Sequence, residues 1–181
     1  MRVSAADVEA AAERLRAVSA PTPVERSPRL SLRTGAEVLL KREDLHVVRS
    51  YKVRGAYNAI SQLEDGARAR GVVCASAGNH AQGLAFACSA LGVTGRVFLP
   101  RTTPRQKRDR IAVLGGDCVE VLLVGDTYDD AAAAAYEDAA RTGATLVPAF
   151  FARYRYFMKT GWAFATSDPN RTTRSVSSTS V

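Results

Sequence analysis

Residues 71–91 read GVVCASAGNHAQGLAFACSAL. The first five residues are small or apolar and end at Ala75, which is typical of a buried strand. Residues Asn79 to Leu91 have the length and composition of a helix, and Gly92 provides its end signal. The stretch therefore predicts a strand, a short polar turn and a helix.

The same alternation continues toward the C-terminus. Helices of ten to fifteen residues between short strands indicate βαβ units, so we expect a doubly wound α/β fold with a mostly parallel sheet covered on both faces. In such sheets ligands bind beyond the carboxyl ends of the strands. The further strands are expected at Arg96–Leu99, Asp117–Val124 and Ala144–Val147, and the helices at Pro104–Leu114 (with Thr103 as N-cap) and Asp126–Arg141.

The segment before this region has weaker signals. Ser4 and Asp7 form a capping-box pattern at the start of a helix expected over Ala5–Val18. Glu37–Lys41 is predicted to be a short buried strand, and Tyr51–Leu63 an amphipathic helix. We therefore expect three regions: 1–70, a small α/β domain at 71–148, and an irregular tail at 149–181.

Composition excludes several classes of protein. The 181 residues are 46% hydrophobic and 24% charged, as in globular proteins, and the longest apolar run, Ala131–Tyr136, is too short for a membrane span. Asp7, Glu9 and Glu13 interrupt the N-terminus, so we expect no signal peptide and a cytoplasmic location. Three cysteines without CxxC spacing and two histidines predict neither a disulfide framework nor a metal site.

Lys52 is a candidate nucleophile. It falls at the start of a predicted helix, where the helix dipole disfavours an ammonium group, and Arg54 is expected to lower its pKa further. The chain has four lysines against 21 arginines, so a lysine here suggests a need for an amine that can lose its proton. The alternative is an ordinary solvated lysine.

The turn after the strand at residue 75 is a candidate anion site. Ser76, Gly78 and Asn79 are small or turn-forming, so backbone N–H groups at the helix start can surround an anion. The alternative is a plain N-cap turn, with His80 and Gln82 as ordinary first-turn residues. Because the G-x-G-x-x-G pattern is missing, a generic nucleotide-binding module is disfavoured.

Together the two stretches resemble a known family. The run LKREDL (residues 40–45), RSYKVRGA (49–56) and ASAGNHAQG (75–83) are similar to motifs of the pyridoxal phosphate (PLP) enzymes of the tryptophan synthase β-like fold. Within that group the chain resembles the threonine ammonia-lyases (threonine dehydratases) over about residues 20–150. By this resemblance, residues 1–70 are the start of the large PLP domain.

The resemblance implies roles for five residues. Lys52 would bind the cofactor covalently, Tyr51 would pack on its ring, and Asn79 would hydrogen-bond its phenolic oxygen. Ser76, Gly78 and Asn79 would receive the carboxylate of an amino-acid substrate. The implied reaction converts threonine to 2-oxobutanoate and ammonia in isoleucine biosynthesis. Related serine racemases tend to carry a serine where this chain has Ala77, which favours elimination.

After residue 150 the resemblance stops, and the sequence resembles a truncated or frameshifted end. Residues 151–181 hold five basic residues and one acidic residue, more than half of the net charge of +7. We expect this tail to pack poorly and promote self-association, and not to bind nucleic acid or membrane. No glycine-rich run like the family's phosphate loop occurs, so a non-catalytic remnant stays an alternative, as does a related serine/threonine dehydratase or racemase. The family implies a homo-oligomer.

Overall fold

The structure, a computed structural model, describes residues 4–149. The expectations for the tail at 149–181 therefore lie outside the described residues, apart from Ala149 itself. Among residues 4–149, no helix is long and apolar enough to cross a membrane.

The N-terminal elements are short. The first helix, α1 (Ala5–Leu15), begins with the predicted capping box of Ser4 and Asp7. Strands β1 (Val24–Arg26) and β2 (Leu39–Lys41) form a separate antiparallel pair. The prediction of a buried strand at Glu37–Lys41 is wrong, because β2 has three residues and Leu39 is 48% exposed. Helix α2 (Pro28–Thr34), a 3₁₀ turn (Glu43–Leu45), α3 (Lys52–Ile60) and α4 (Asp65–Arg70) complete this part.

A four-stranded parallel sheet confirms the predicted fold class. Its order is β5-β4-β3-β6, with neighbouring strands paired in parallel register. Its strands are β3 (Val72–Ala75), β4 (Gly95–Leu99), β5 (Val119–Leu123) and β6 (Thr145–Leu146), and the helices between them are α5 (Asn79–Leu91), α6 (Arg105–Gly115) and α7 (Tyr128–Thr142).

Helices α6 and α7 begin later than the sequence predicts. Helix α6 is preceded by Pro104, not Thr103, as the N-cap residue, and no side chain caps it. Helix α7 begins at Tyr128 because Thr127 and Asp130 form a capping box, which satisfies N–H groups at the helix start.

Both faces of the sheet are covered. Val72 and Cys74 of β3 belong to a core cluster with residues of α5, while Val73 and Ala75 pack with Ala131 of α7 on the other face. The first cluster also contains Ala56, Tyr57 and Ile60 of α3, so it includes residues from before and after position 70. The division into regions 1–70 and 71–148 stays a prediction.

The strand order reverses direction around β3. The chain passes from β3 to β4 on one side, whereas β6 pairs with β3 on the other side. The crossover from β5 to β6 therefore returns past β3 to its other side, and open α/β sheets bind ligands beyond the carboxyl ends of their strands near such reversals.

Candidate active site

Lys52 is the first residue of α3, one residue after the predicted helix start at Tyr51. Helix α3 packs against α5, and the two backbones approach closely at Gly83. A Cβ atom at Gly83 would lie 3.0 Å from both the carbonyl carbon and oxygen of Lys52, and 3.1 Å from the nitrogen of Val53. Ordinary carbon contacts are about 3.5–4.0 Å. Only glycine at position 83 therefore permits this approach of the Lys52 backbone to α5.

The Lys52 amine is held by neighbouring groups. Its Nζ donates a hydrogen bond to the carbonyl oxygen of Ala149 at 3.2 Å and lies 5.7 Å from the centre of the Tyr51 ring, within range of a cation–π contact. Burial lowers the pKa of Lys52 below its ordinary value. The direction agrees with the sequence-based expectation, but the expected contribution of Arg54 does not appear, because that guanidinium is bound by Glu43.

The polar turn lies at the carboxyl end of β3. The backbone N–H of Gly78 donates to the Ser76 hydroxyl at 3.3 Å, which closes the turn, and Gly78 is the N-cap residue of α5. Asn79 is the first residue of α5 and its side chain is exposed. The first N–H groups of a helix have no intrahelical acceptor, so this end of α5 is suited to an anion.

His80 follows this turn and lies near enough to Lys52 to feel its charge. Sequence reasoning missed this proximity. The residue is 5% exposed, and its Nε2 lies 2.7 Å from the carbonyl oxygen of Val147. Burial, opposed by this hydrogen bond and aided by the charge of Lys52, lowers the pKa of His80 to about 4. The ring is therefore neutral at pH 7. A lone histidine in a helix first turn gives no sequence signal of this role.

A buried carboxylate, also missed by sequence reasoning, connects the motifs that precede Lys52. Glu43 receives two hydrogen bonds from Arg54, at 2.8 and 3.1 Å, and one each from the Thr22 hydroxyl at 2.6 Å and from His46 Nε2 at 3.1 Å. Burial raises the pKa of Glu43, but these bonds more than offset it, so the pKa lies well below its ordinary value. The cluster fixes the start of α3.

One residue in the connection to α3 has an unusual backbone. Arg49 has φ of 53°, in the left-handed region that non-glycine residues seldom adopt, and its N–H donates to the carbonyl of His46 at 2.7 Å. The chain thus turns sharply just before Ser50, Tyr51 and Lys52. The structure brings Tyr51, Lys52 and His80 together and places Ser76, Gly78 and Asn79 immediately before His80.

A family model described as "Pyridoxal-phosphate dependent enzyme" matches residues 15–165 of this chain. This match covers most of the chain. The chain belongs to the pyridoxal-phosphate-dependent enzyme family. The resemblance seen in the sequence is thereby confirmed, and so is dependence on PLP as the family's cofactor.

The chain is similar to biosynthetic L-threonine dehydratases. The chain is 61% identical over 148 residues to the biosynthetic L-threonine dehydratase IlvA of Mycobacterium tuberculosis, and 56% identical over 151 residues to that of Corynebacterium glutamicum. These matches cover 82% and 83% of the chain but 34% and 35% of the relatives. The chain therefore spans about a third of the length of the curated relatives that it matches.

Solved structures of the PLP enzymes share the fold. Threonine deaminase isoform 2 of Solanum lycopersicum matches with a TM-score of 0.70 and 37% identity, covering 82% of this chain and 41% of that one. Maize serine racemase matches with a TM-score of 0.76 and 26% identity, covering 83% and 45%.

The residues around Lys52 and the turn at Ser76–Asn79 offer an amine, a buried polar atom and open space for PLP. Lys52 offers a half-buried amine with a lowered pKa, and Nδ1 of His80 is a buried polar atom without a partner among the described residues. A Cβ at Gly78 would meet nothing within 4 Å, so the turn has open space in front of it. Within residues 4–149, no group of three or more potential metal-ligating side chains is gathered.

Proposed function

We propose that this chain forms the lysine-bearing part of a PLP-dependent threonine ammonia-lyase, an enzyme that converts L-threonine to 2-oxobutanoate and ammonia in isoleucine biosynthesis. The observation that carries the proposal is the Lys52 amine, half-buried with a lowered pKa, on a chain 61% identical to a biosynthetic threonine dehydratase. A homo-oligomer and a cytoplasmic location stay predictions.

The chain supplies groups for binding and orientation. Lys52 would hold the cofactor, with Tyr51 against its ring and Asn79 at its phenolic oxygen. When bound, PLP provides an electron sink for charge that develops at the substrate α-carbon. The Ser76 hydroxyl and the backbone N–H groups at the start of α5 would bind the substrate carboxylate, because a helix N-terminus favours an anion.

Lys52 is also suited to move the α-proton. An ammonium group cannot accept a proton, whereas the lowered pKa increases the neutral fraction of this amine near pH 7. The Ala149 carbonyl accepts a hydrogen bond from Nζ and so fixes the direction of the amine. With PLP bound to the substrate, the neutral Lys52 amine would accept the α-proton, and the β-hydroxyl would leave afterwards.

Two other functions compete with this proposal. A related serine dehydratase or racemase is favoured by the match to maize serine racemase, but Ala77 packs against the core and provides no hydroxyl at the turn. A non-catalytic remnant would keep the fold of the sheet, but its Lys52 would not bind PLP.

Amino-acid titration of the PLP-treated chain separates these functions. The cofactor's absorbance is followed as L-threonine, L-serine or D-serine is added, with Lys52→Ala and Lys107→Ala as matched variants. We expect the largest response to L-threonine, retained in Lys107→Ala and lost in Lys52→Ala. A larger response to D-serine would favour a racemase, and an absorbance that never differs from Lys52→Ala would favour the remnant.

A further inference from the structure

After β6 the chain leaves the sheet and passes Lys52. The Val147 N–H donates to the Val73 carbonyl at 2.8 Å, which is the last ladder bond before the chain reaches Pro148. Proline has no N–H, so the backbone cannot extend the ladder at that position. We call residues 147–149 the exit segment. The carbonyls of Val147 and Ala149 in this segment each accept a hydrogen bond from a side chain, from His80 and Lys52 respectively.

Each carbonyl is bound by one of those side chains. The Val147 carbonyl accepts from His80 at 2.7 Å, and the Ala149 carbonyl accepts from the Lys52 amine at 3.2 Å. A carbonyl oxygen can only accept, so His80 carries its proton on Nε2 and its Nδ1 is the unprotonated nitrogen. The short exit segment 147–149 is thus tied at one end by α5 and at the other by α3.

We propose that His80 is a positioning residue: by holding the Val147 carbonyl it keeps the Ala149 carbonyl against the amine of Lys52. The bond is buried, since His80 is 5% and Val147 2% exposed. A buried hydrogen bond whose partner is removed leaves an unsatisfied carbonyl, which the exit segment can relieve only by moving. The amine would then lose the Ala149 carbonyl as an acceptor and part of its cover.

Movement of the exit segment would change the pKa of Lys52. The titratable groups that face its amine include Tyr51, beside it in the chain, and His80, on the helix packed against α3. The neutral His80 ring carries no charge at pH 7, so its replacement by another neutral side chain leaves the local charge unchanged. Burial lowers the pKa of Lys52, so exposure of the amine raises this pKa toward its ordinary value, and we expect that rise to exceed the fall caused by loss of the Ala149 acceptor.

Two amide variants isolate the hydrogen bond. Glutamine can place its amide nitrogen near the position of Nε2, whereas asparagine reaches only as far as Nδ1, so His80→Gln keeps the donor and His80→Asn loses it. Arg70→Met is the matched control, because Arg70 donates to the Gly143 carbonyl at 2.9 Å and ties the chain just before β6. His80→Asn removes a side-chain hydrogen bond just after β6, Arg70→Met removes one just before β6, and His80→Gln removes none.

The readout is the pH midpoint of Lys52 acetylation in the full chain, measured by competitive labelling and peptide mass spectrometry, with exposed Lys107 as the internal standard. We expect His80→Asn to raise the midpoint toward that of Lys107, while His80→Gln and Arg70→Met keep that of the unmodified chain. An unchanged midpoint in folded His80→Asn, or an equal shift in His80→Gln or Arg70→Met, would overturn the proposal.

If His80→Asn does not fold, the proposal is tested on the unmodified protein by the protonation of the His80 ring. Nitrogen-15 NMR at pH 7 should show a neutral His80 ring protonated on Nε2, and a ring protonated on Nδ1 would overturn the proposal. The inference rests on the proposed function only in taking Lys52 as the reactive amine. Because labelling needs no cofactor, failure of Lys52 to capture PLP would refute the proposed function and leave the role of His80 intact.

Discussion

Replacing Gly83 with alanine should displace the backbone of Lys52. The added Cβ would lie 3.0 Å from the Lys52 carbonyl carbon and oxygen, where ordinary contacts need about 3.5 Å. These atoms are backbone and cannot rotate away, so α3 and α5 must separate by about 0.5 Å. A misplacement of 1 Å can cost about 100-fold in a positioned reaction, so we expect about tenfold slower capture of PLP by Lys52.

The stability change combines two opposing terms. Alanine in a helix is favoured over glycine by about 1 kcal/mol, whereas overpacking costs about 1–3 kcal/mol. We therefore expect Gly83→Ala to lose about 0–2 kcal/mol in free energy of unfolding, measured in urea. Gly66→Ala is the control, because a Cβ there meets only the Arg70 guanidinium at 3.6 Å. That variant should gain about 0.5 kcal/mol. Equal stabilisation by both variants, with unchanged PLP capture, would refute the close-approach argument.

Three further predictions concern the neighbouring cluster, the turn and the activity. Glu43→Gln should lower the free energy of unfolding by about 2–4 kcal/mol at pH 7. Because the folded-state pKa of Glu43 lies below its ordinary 4.5, its contribution is complete above that pH and is lost as pH falls. Acid titration of stability should therefore be flatter in the variant, and parallel curves would contradict the role of the cluster. Arg49→Gly should change stability by about 0 to +1 kcal/mol, since relief of the left-handed backbone offsets the entropy of glycine. Arg33→Gly, within α2, should lose about 1 kcal/mol in the same urea assay, and an equal loss at Arg49 would disprove the strain. The 181-residue chain should form 2-oxobutanoate from threonine at a negligible rate, because no run equivalent to the glycine-rich phosphate loop occurs in it. Robust turnover in a coupled assay would contradict this.

The sheet was predictable because its signals are local. The apolar runs at β3 and β4, the glycines that end α5 and α7, and the capping box at Ser4 each depend on residues close in the chain. Glu37–Lys41 was predicted wrongly as buried because, within residues 4–149, β2 pairs with β1 alone and its apolar residues remain partly exposed. Local pattern does not reveal how many layers cover a strand.

The candidate site was predictable in part. Lys52 at a helix start and the turn at Ser76–Asn79 follow from sequence, whereas the bonds from His80 to Val147 and from Lys52 to Ala149 join residues far apart in the chain. The buried Glu43 is likewise reached by Thr22 and Arg54 from separate segments. Such contacts depend on topology, and a charged residue in a polar run gives no sign that it is buried.

The most direct test of the account is to identify which lysine captures PLP. The purified chain is mixed with the cofactor, reduced with borohydride and digested, and the modified peptides are mapped by mass spectrometry. Lys52 competes with three other lysines, of which Lys107 is exposed. We predict that the reduced adduct forms predominantly at Lys52. In Lys52→Ala this adduct should be absent, and modification of the other lysines should not increase. Modification of the other lysines in proportion to their exposure, with none at Lys52, would contradict the account.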